Sequence, residues 1–157
     1  MAFGALSLKG RALRYLAQRE HSRAELERKL ARFAEDSAEA SAAELIVRAL
    51  DELAAHGFLS EARVAESVLN SQGQRFGARR LKQTMQAKGL DAALVAATLQ
   101  QARGTELERA RQVWQRKFGG APAQDAAERA RQMRFLAARG FEGDVVRQVV
   151  KGSADDE

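Results

Sequence analysis

The chain has 157 residues, near the usual size of a single domain, with 26 Lys and Arg against 21 Asp and Glu and a net charge of +5. It has no cysteine, which excludes disulfides, thiolate metal sites and thiol nucleophiles. No stretch approaches the ~18 uncharged apolar residues of a membrane span, and residues 1–20 lack the apolar core of a signal peptide, so a cytoplasmic location is expected.

Good helix formers dominate, the only proline is Pro122, and no period-2 alternation persists, so the chain reads as all-α. A first helix is expected over 5–19. Ser22-x-x-Glu25 has capping-box spacing and opens a second over 22–33, with Leu26, Leu30 and Phe33 on one apolar face. Ser41-x-x-Glu44 opens a third over 41–55, striped by Ile46, Leu50 and Leu53. Ser60 is a plain N-cap for a fourth over 60–75, and a fifth over 77–88 carries Leu81 and Met85 one turn apart. Asp91 caps a sixth over 91–102, and Gly104 is read as a break. Thr105-x-x-Glu108 then opens a seventh over 105–118, striped by Leu107, Ala110, Trp114 and Phe118. Asp125-x-x-Glu128 opens an eighth over 124–138, and the Val145, Val146, Val149, Val150 face marks a ninth over 142–151. The acidic tail 152–157 is expected to be disordered. The stripes are core positions; Trp114 alone is a candidate for contact with a partner.

Nine helices of similar length invite a search for repeats. Met85-x-x-Lys88-Gly89-Leu90-Asp91 matches Leu136-x-x-Arg139-Gly140-Phe141-Glu142 at an offset of 51, which also pairs Arg80 with Arg131 and Val95 with Val146. Leu26 and Leu30 match Leu81 and Met85 at an offset of 55. Three tandem three-helix units follow, over 1–57, 58–103 and 104–151.

Charge is distributed in blocks. Residues 1–34 carry net +5, 35–66 net −6, 67–118 net +7 and 119–157 net −1. The strongest local feature lies in the third block, where no acid occurs from Ser67 to Leu90. On a helix starting near Gly77, Arg79, Lys82 and Gln86 share one face with Arg75 just before it, while Leu81 and Met85 point to the core. A cationic stripe without local partners suits phosphate or carboxylate, since Arg binds either with two parallel hydrogen bonds. A solvated helix face is the competing reading. Arg131, Arg134 and Arg139 echo the stripe in the third unit. No catalytic constellation stands out. His21 and His56 sit at helix ends without ligand neighbours and suit capping or surface roles, and there is no phosphate loop. Neither metal nor cofactor is expected. Base-specific reading of nucleic acid has little support, because Asn is scarce and no aromatic cluster is evident.

The ordered motifs resemble the RecX family. Ala12-Leu13-x-Tyr15-Leu16-x-x-Arg19-x-x-Ser22-x-x-Glu25-Leu26-x-x-Lys29-Leu30 looks like its opening signature, followed by Ile46, Leu50, Leu53 and Gly57-Phe58-Leu59. Gly77-x-Arg79-Arg80-Leu81 and Lys88-Gly89-Leu90 resemble the middle motifs. Arg134-Phe135-Leu136 and Arg139-Gly140-Phe141-x-x-Asp144-Val145 resemble the closing one. Ser60-Glu61 stands where the family usually has an acidic pair, and Val64 and Val68 where it usually has aromatics.

The resemblance implies three three-helix repeats in an elongated, curved array and a non-enzymatic modulator of the RecA recombinase. Family members lodge in the groove of the RecA–DNA filament, inhibit its ATPase, strand exchange and co-protease activities, and block its extension or promote its disassembly. On this reading Arg75, Arg79, Arg80, Lys82 and Lys88, then Arg131, Arg134 and Arg139, contact RecA or DNA phosphates. DNA contact, single- or double-stranded, is expected to be non-specific and salt-dependent, and the protein to be a monomer. A helix-turn-helix-like module acting on DNA without RecA, or a scaffold for another protein, are the alternatives.

Overall fold

Polar side chains at the helix starts set the layout of the chain. The computed structural model describes residues 6–152, and the described residues contain helices and no strand. In order these are α1 (Leu8–Gln18), α2 (Arg23–Leu30), α3 (Ala42–Ala55), α4 (Glu61–Gln72), α5 (Ala78–Ala87), α6 (Ala92–Phe118), α7 (Ala126–Ala138) and α8 (Gly143–Gly152). Ser22 and Glu25 form the full reciprocal capping box, while Ser41, Asp91 and Asp125 accept the expected N–H groups. Apart from Gly152, the last residue of α8, the expected acidic tail lies outside the described residues.

Eight helices replace the nine expected, because α6 runs unbroken through Gly104. Thr105 does not cap; its hydroxyl donates to the carbonyl of Ala102, one turn back. The reason is tertiary. Val95, Ala102, Glu106, Ala110, Val113 and Trp114 form one buried stripe on both sides of Gly104. Burial of that stripe outweighs the roughly 1 kcal/mol that a helical glycine costs.

Two compact units emerge. The first comprises residues up to Ser67 with the turn Lys88–Leu90. In it α1, α2 and α3 enclose Ala12, Leu26, Leu30, Ile46, Leu50, Leu53 and Leu59. Phe33, expected in this core, lies past the end of α2 and is 42% exposed, with the Arg11 guanidinium over its ring.

His21 corrects a third expectation, for it is fully buried at the α1–α2 turn. Its Nε2 lies 2.9 Å from Lys29 Nζ. An ammonium only donates, so Nε2 must accept, and the ring proton sits on Nδ1, donating to the carbonyl of Arg19 at 3.0 Å. Burial depresses the His21 pKa below its ordinary 6.5, helped by the charges of Arg19 and Lys29. Nearby, burial pushes the Glu25 carboxyl up, but hydrogen bonds from Arg19, the Ser22 N–H and Lys88 outweigh it and hold Glu25 at about 2.

Both shifts favour the less protonated folded state, so the unfolded chain binds more protons as pH falls. The melting temperature should therefore drop as pH passes below the ordinary histidine value of 6.5, and again between 4.5 and about 2 as Glu25 titrates. Thermal melts of the parent and His21→Gln check this. The variant should lack the first step, and a parent whose melting point tracks the variant's between pH 7.5 and 5.5 (a range of about two units around the histidine value) would refute the assignment.

The second unit comprises Val68–Ala87 and the chain from Asp91 onward. Here α6 packs on α5, α7 and α8, around Ala110, Val113, Trp114, Leu136, Phe141, Val146, Val149 and Val150. Trp114 is an internal residue, 6% exposed, and its indole N–H donates to Oε1 of the buried Gln132 at 2.9 Å.

Candidate anion-binding surface

α5 is placed by its own N-terminus. Gly77 N–H donates to the carbonyl of Arg139 at 2.9 Å and Arg79 N–H to that of Gly140 at 3.0 Å. The buried Glu106 carboxylate accepts from Ala78 N–H at 3.3 Å, capping α5, and through the same oxygen from Glu142 N–H at 3.3 Å. Leu81 and Met85 are fully buried, each worth about 1.5–3 kcal/mol, and they fix the roll of the helix. The opposite face is thereby turned outward.

That face forms one wall of a groove of about 660 Å³. Arg79, Lys82, Gln83 and Gln86 line it from α5, facing Leu99, Gln100 and Arg103 of α6, with Glu106 and Glu142 at its margin. Arg79, Lys82 and Gln86 thus share a face as the spacing predicts. Among the described residues neither Arg79 nor Lys82 has an ion-pair partner, and both are exposed.

The other predicted cations divide differently. Arg75, Arg80 and Arg139 surround the Phe76 ring at 5.4, 4.9 and 5.7 Å from its centre. Arg109 holds the carbonyls of Gly73 and Phe76 at 2.8 and 3.0 Å, and so fixes the loop that carries Arg75. Arg134 is exposed and, among the described residues, unpaired.

Two predicted cations are already occupied. Lys88 belongs to the first unit, where its ammonium pairs with Glu25 at 3.2 Å. Arg131 pairs through two guanidinium nitrogens with both oxygens of Glu128, each at 2.9 Å. Both acids lie outside the acid-free stretch used to select Lys88, or one helical turn from Arg131, and folding or local helix geometry supplies them.

Sequence reasoning missed Arg103, Arg116 and Lys117. Arg103 was hidden by the supposed break at Gly104; on a continuous α6 it follows Ala96 and Leu99 at helical spacing and enters the groove. Phe118 meets Phe135 edge-on at 5.5 Å against the core of the second unit, and Arg139 lies over both Phe135 and Phe76. These rings are far apart in sequence. Among the described residues no group of acids and histidines could hold a metal ion, and no helix is long and apolar enough to cross a membrane.

Comparison with known proteins places this chain in a family. Residues 60–99 match the profile for the second three-helix domain of RecX, and residues 105–150 that for the third. The chain is 56% identical over 146 residues to the regulatory protein RecX of Leptothrix cholodnii, covering 93% of this chain and 88% of the relative. The chain belongs to the RecX family. It is also 47% identical to the regulatory protein RecX of Chromobacterium violaceum over 157 residues, covering 100% of this chain and 97% of that one. The fold resembles the crystal structure of RecX from Lactobacillus salivarius, with a TM-score of 0.76 at 16% identity and 94% of each chain covered. The tandem three-helix organisation is thus that of RecX, and the second and third RecX domains meet inside α6, between residues 99 and 105.

Proposed function

We propose that this RecX-family chain is a negative modulator of RecA. It lodges in the helical groove of the RecA–DNA filament and lowers ATPase, strand exchange and co-protease activity, by blocking filament extension or promoting disassembly. It acts as a cytoplasmic monomer, without cofactor or catalytic step, through three units over 1–57, 58–103 and 104–151. The observation that carries the reading is the exposed pair Arg79 and Lys82, fixed on a rigid helix beside a groove of about 660 Å³ and left without an acidic partner among the described residues. Charges held this way dock electrostatically on the carboxylates of a protein surface.

The test is RecA ATPase on single-stranded DNA, titrated with this protein at about 50 and 200 mM salt. Inhibition should be strong at the lower salt, with the half-inhibiting concentration rising on the order of tenfold or more at the higher. An ATPase unchanged by saturating protein at both salts would remove the reading in favour of a scaffold for some other partner. A sequence-specific footprint on duplex DNA without RecA would favour a direct DNA reader instead.

A further inference from the structure

The cations of the second unit do not form one stripe, and their division points to two chemistries. The α5–α6 groove is mixed in sign, with Glu106 and Glu142 at its margin and the amides of Gln83, Gln86 and Gln100 along it. A separate hollow of about 280 Å³ is lined by Arg75, Val113, Arg116, Lys117, Phe135 and Arg139, with no acid among its lining residues. None of its four cations takes part in an ion pair among the described residues.

These charges are held in place rather than loose. Arg139 lies 5.1 Å and Lys117 5.4 Å from the centre of Phe135, and Arg75 and Arg80 lie beside Phe76. Arg116 donates to the carbonyl of Gln74 at 2.6 Å, tying the end of α6 to the loop before α5. A cation resting against an aromatic face keeps its remaining N–H donors free and restricts its rotamers, which lowers the entropy lost on binding. The rings already carry cations, so bases have no clear stacking platform. What remains on offer is a dense set of fixed donors for oxyanions.

We infer that this hollow, built from Arg75, Arg116, Lys117 and Arg139 around Phe135, is a binding site for the phosphodiester backbone of nucleic acid, separate from the α5–α6 groove. The cores of protein interfaces are depleted in charge, whereas interfaces with nucleic acid are strongly positive. The acid-free hollow fits the second class and the mixed-sign groove the first. The site extends the filament reading to the nucleic-acid component, and rests on that reading only for its biological setting, since the contact is predicted for the protein without RecA.

The experiment is fluorescence anisotropy of labelled oligothymidylate and of a labelled duplex, each titrated with full-length protein over a salt series. Arg116→Gln with Lys117→Gln should weaken binding about tenfold at low salt and flatten the logarithmic salt slope by about 1.4 on the single strand, or about 1.8 on the duplex. The arm that shows the loss identifies the strand form contacted. Arg79→Gln with Lys82→Gln should leave both within about twofold, because those residues lie in the other groove. Circular dichroism confirms that both variants fold. Unchanged affinity and slope in the first variant, or loss in the second alone, would overturn the assignment. So would a first variant that keeps oligonucleotide binding but loses inhibition of RecA. If the parent leaves RecA ATPase untouched yet the first variant loses oligonucleotide binding, the filament reading fails and the phosphate site stands.

Discussion

Replacing Arg79 and Lys82 together by Glu should raise the concentration needed to inhibit RecA ATPase about 100-fold, close to abolishing inhibition at working concentrations. Each charge-assisted contact is worth about 1.5–3 kcal/mol, and reversal adds repulsion from the carboxylates the cations faced. A 100-fold change is about 2.7 kcal/mol, so loss of even one good contact approaches it. The fold should survive. Both side chains are exposed and, among the described residues, free of ion pairs, so no internal partner is stranded. Arg79 also sits in the first turn of α5, where a Glu is favoured by the helix dipole. One local cost arises because Glu106 and Glu142 border the same groove. The neutral pair Arg79→Gln and Lys82→Gln controls for it, and should lose inhibition to a lesser degree. Steady-state ATPase and a thermal melt decide the matter: a folded reversal variant that inhibits like its parent would remove these residues from the docking surface.

What the sequence made legible, and what it concealed, follows the range of the forces involved. Local chemistry was readable. Ser22 with Glu25, Ser41 and Asp125 start helices where their spacing places them, since a cap acts across three residues. The face shared by Arg79, Lys82 and Gln86 was readable for the same reason, as the buried pair Leu81 and Met85 fixes it. Non-local outcomes were not. Gly104 and Thr105 carry the local signs of a helix junction, but a buried stripe from Val95 to Trp114 overrides them. His21 carries no mark of burial; the Tyr15 ring of α1 and Lys29 of α2 come against it when those helices pack. The acid-free run from Ser67 to Leu90 implied that Lys88 was unpaired, yet Glu25, 63 residues away, reaches it. The hollow beside Phe135 draws on residues from 75 to 139, and no local pattern links them.

Gly77→Ala should destabilise the protein by about 3 kcal/mol, lowering the melting temperature by roughly 6–12 °C. A β-carbon at this position would fall well inside contact distance of the Phe141 backbone and 2.6 Å from its ring carbon Cδ1. Backbone cannot step aside as a flexible side chain does, so α5 must back away from the α7–α8 turn. That motion stretches the hydrogen bonds from Gly77 to Arg139 and from Arg79 to Gly140, each worth about 1 kcal/mol. Gly140 meets the same junction from the other side. Its φ of +90° disfavours any side chain, and a β-carbon there would lie 2.6 Å from both the Arg80 nitrogen and its β-carbon. Because both substitutions open one interface, the double variant should cost less than the sum of the singles. Gly104→Ala supplies the opposite sign: nothing lies within 4 Å of a β-carbon there, and the residue is inside a helix, so stability should rise by about 0.5–1 kcal/mol. Gly77→Ala also displaces the turn that presents Arg79, so inhibition should weaken at temperatures where the variant is still folded. A Gly77→Ala melting point within about 1 °C of the parent would mean that the α5 junction yields without cost, and that the cations it carries are not rigidly held.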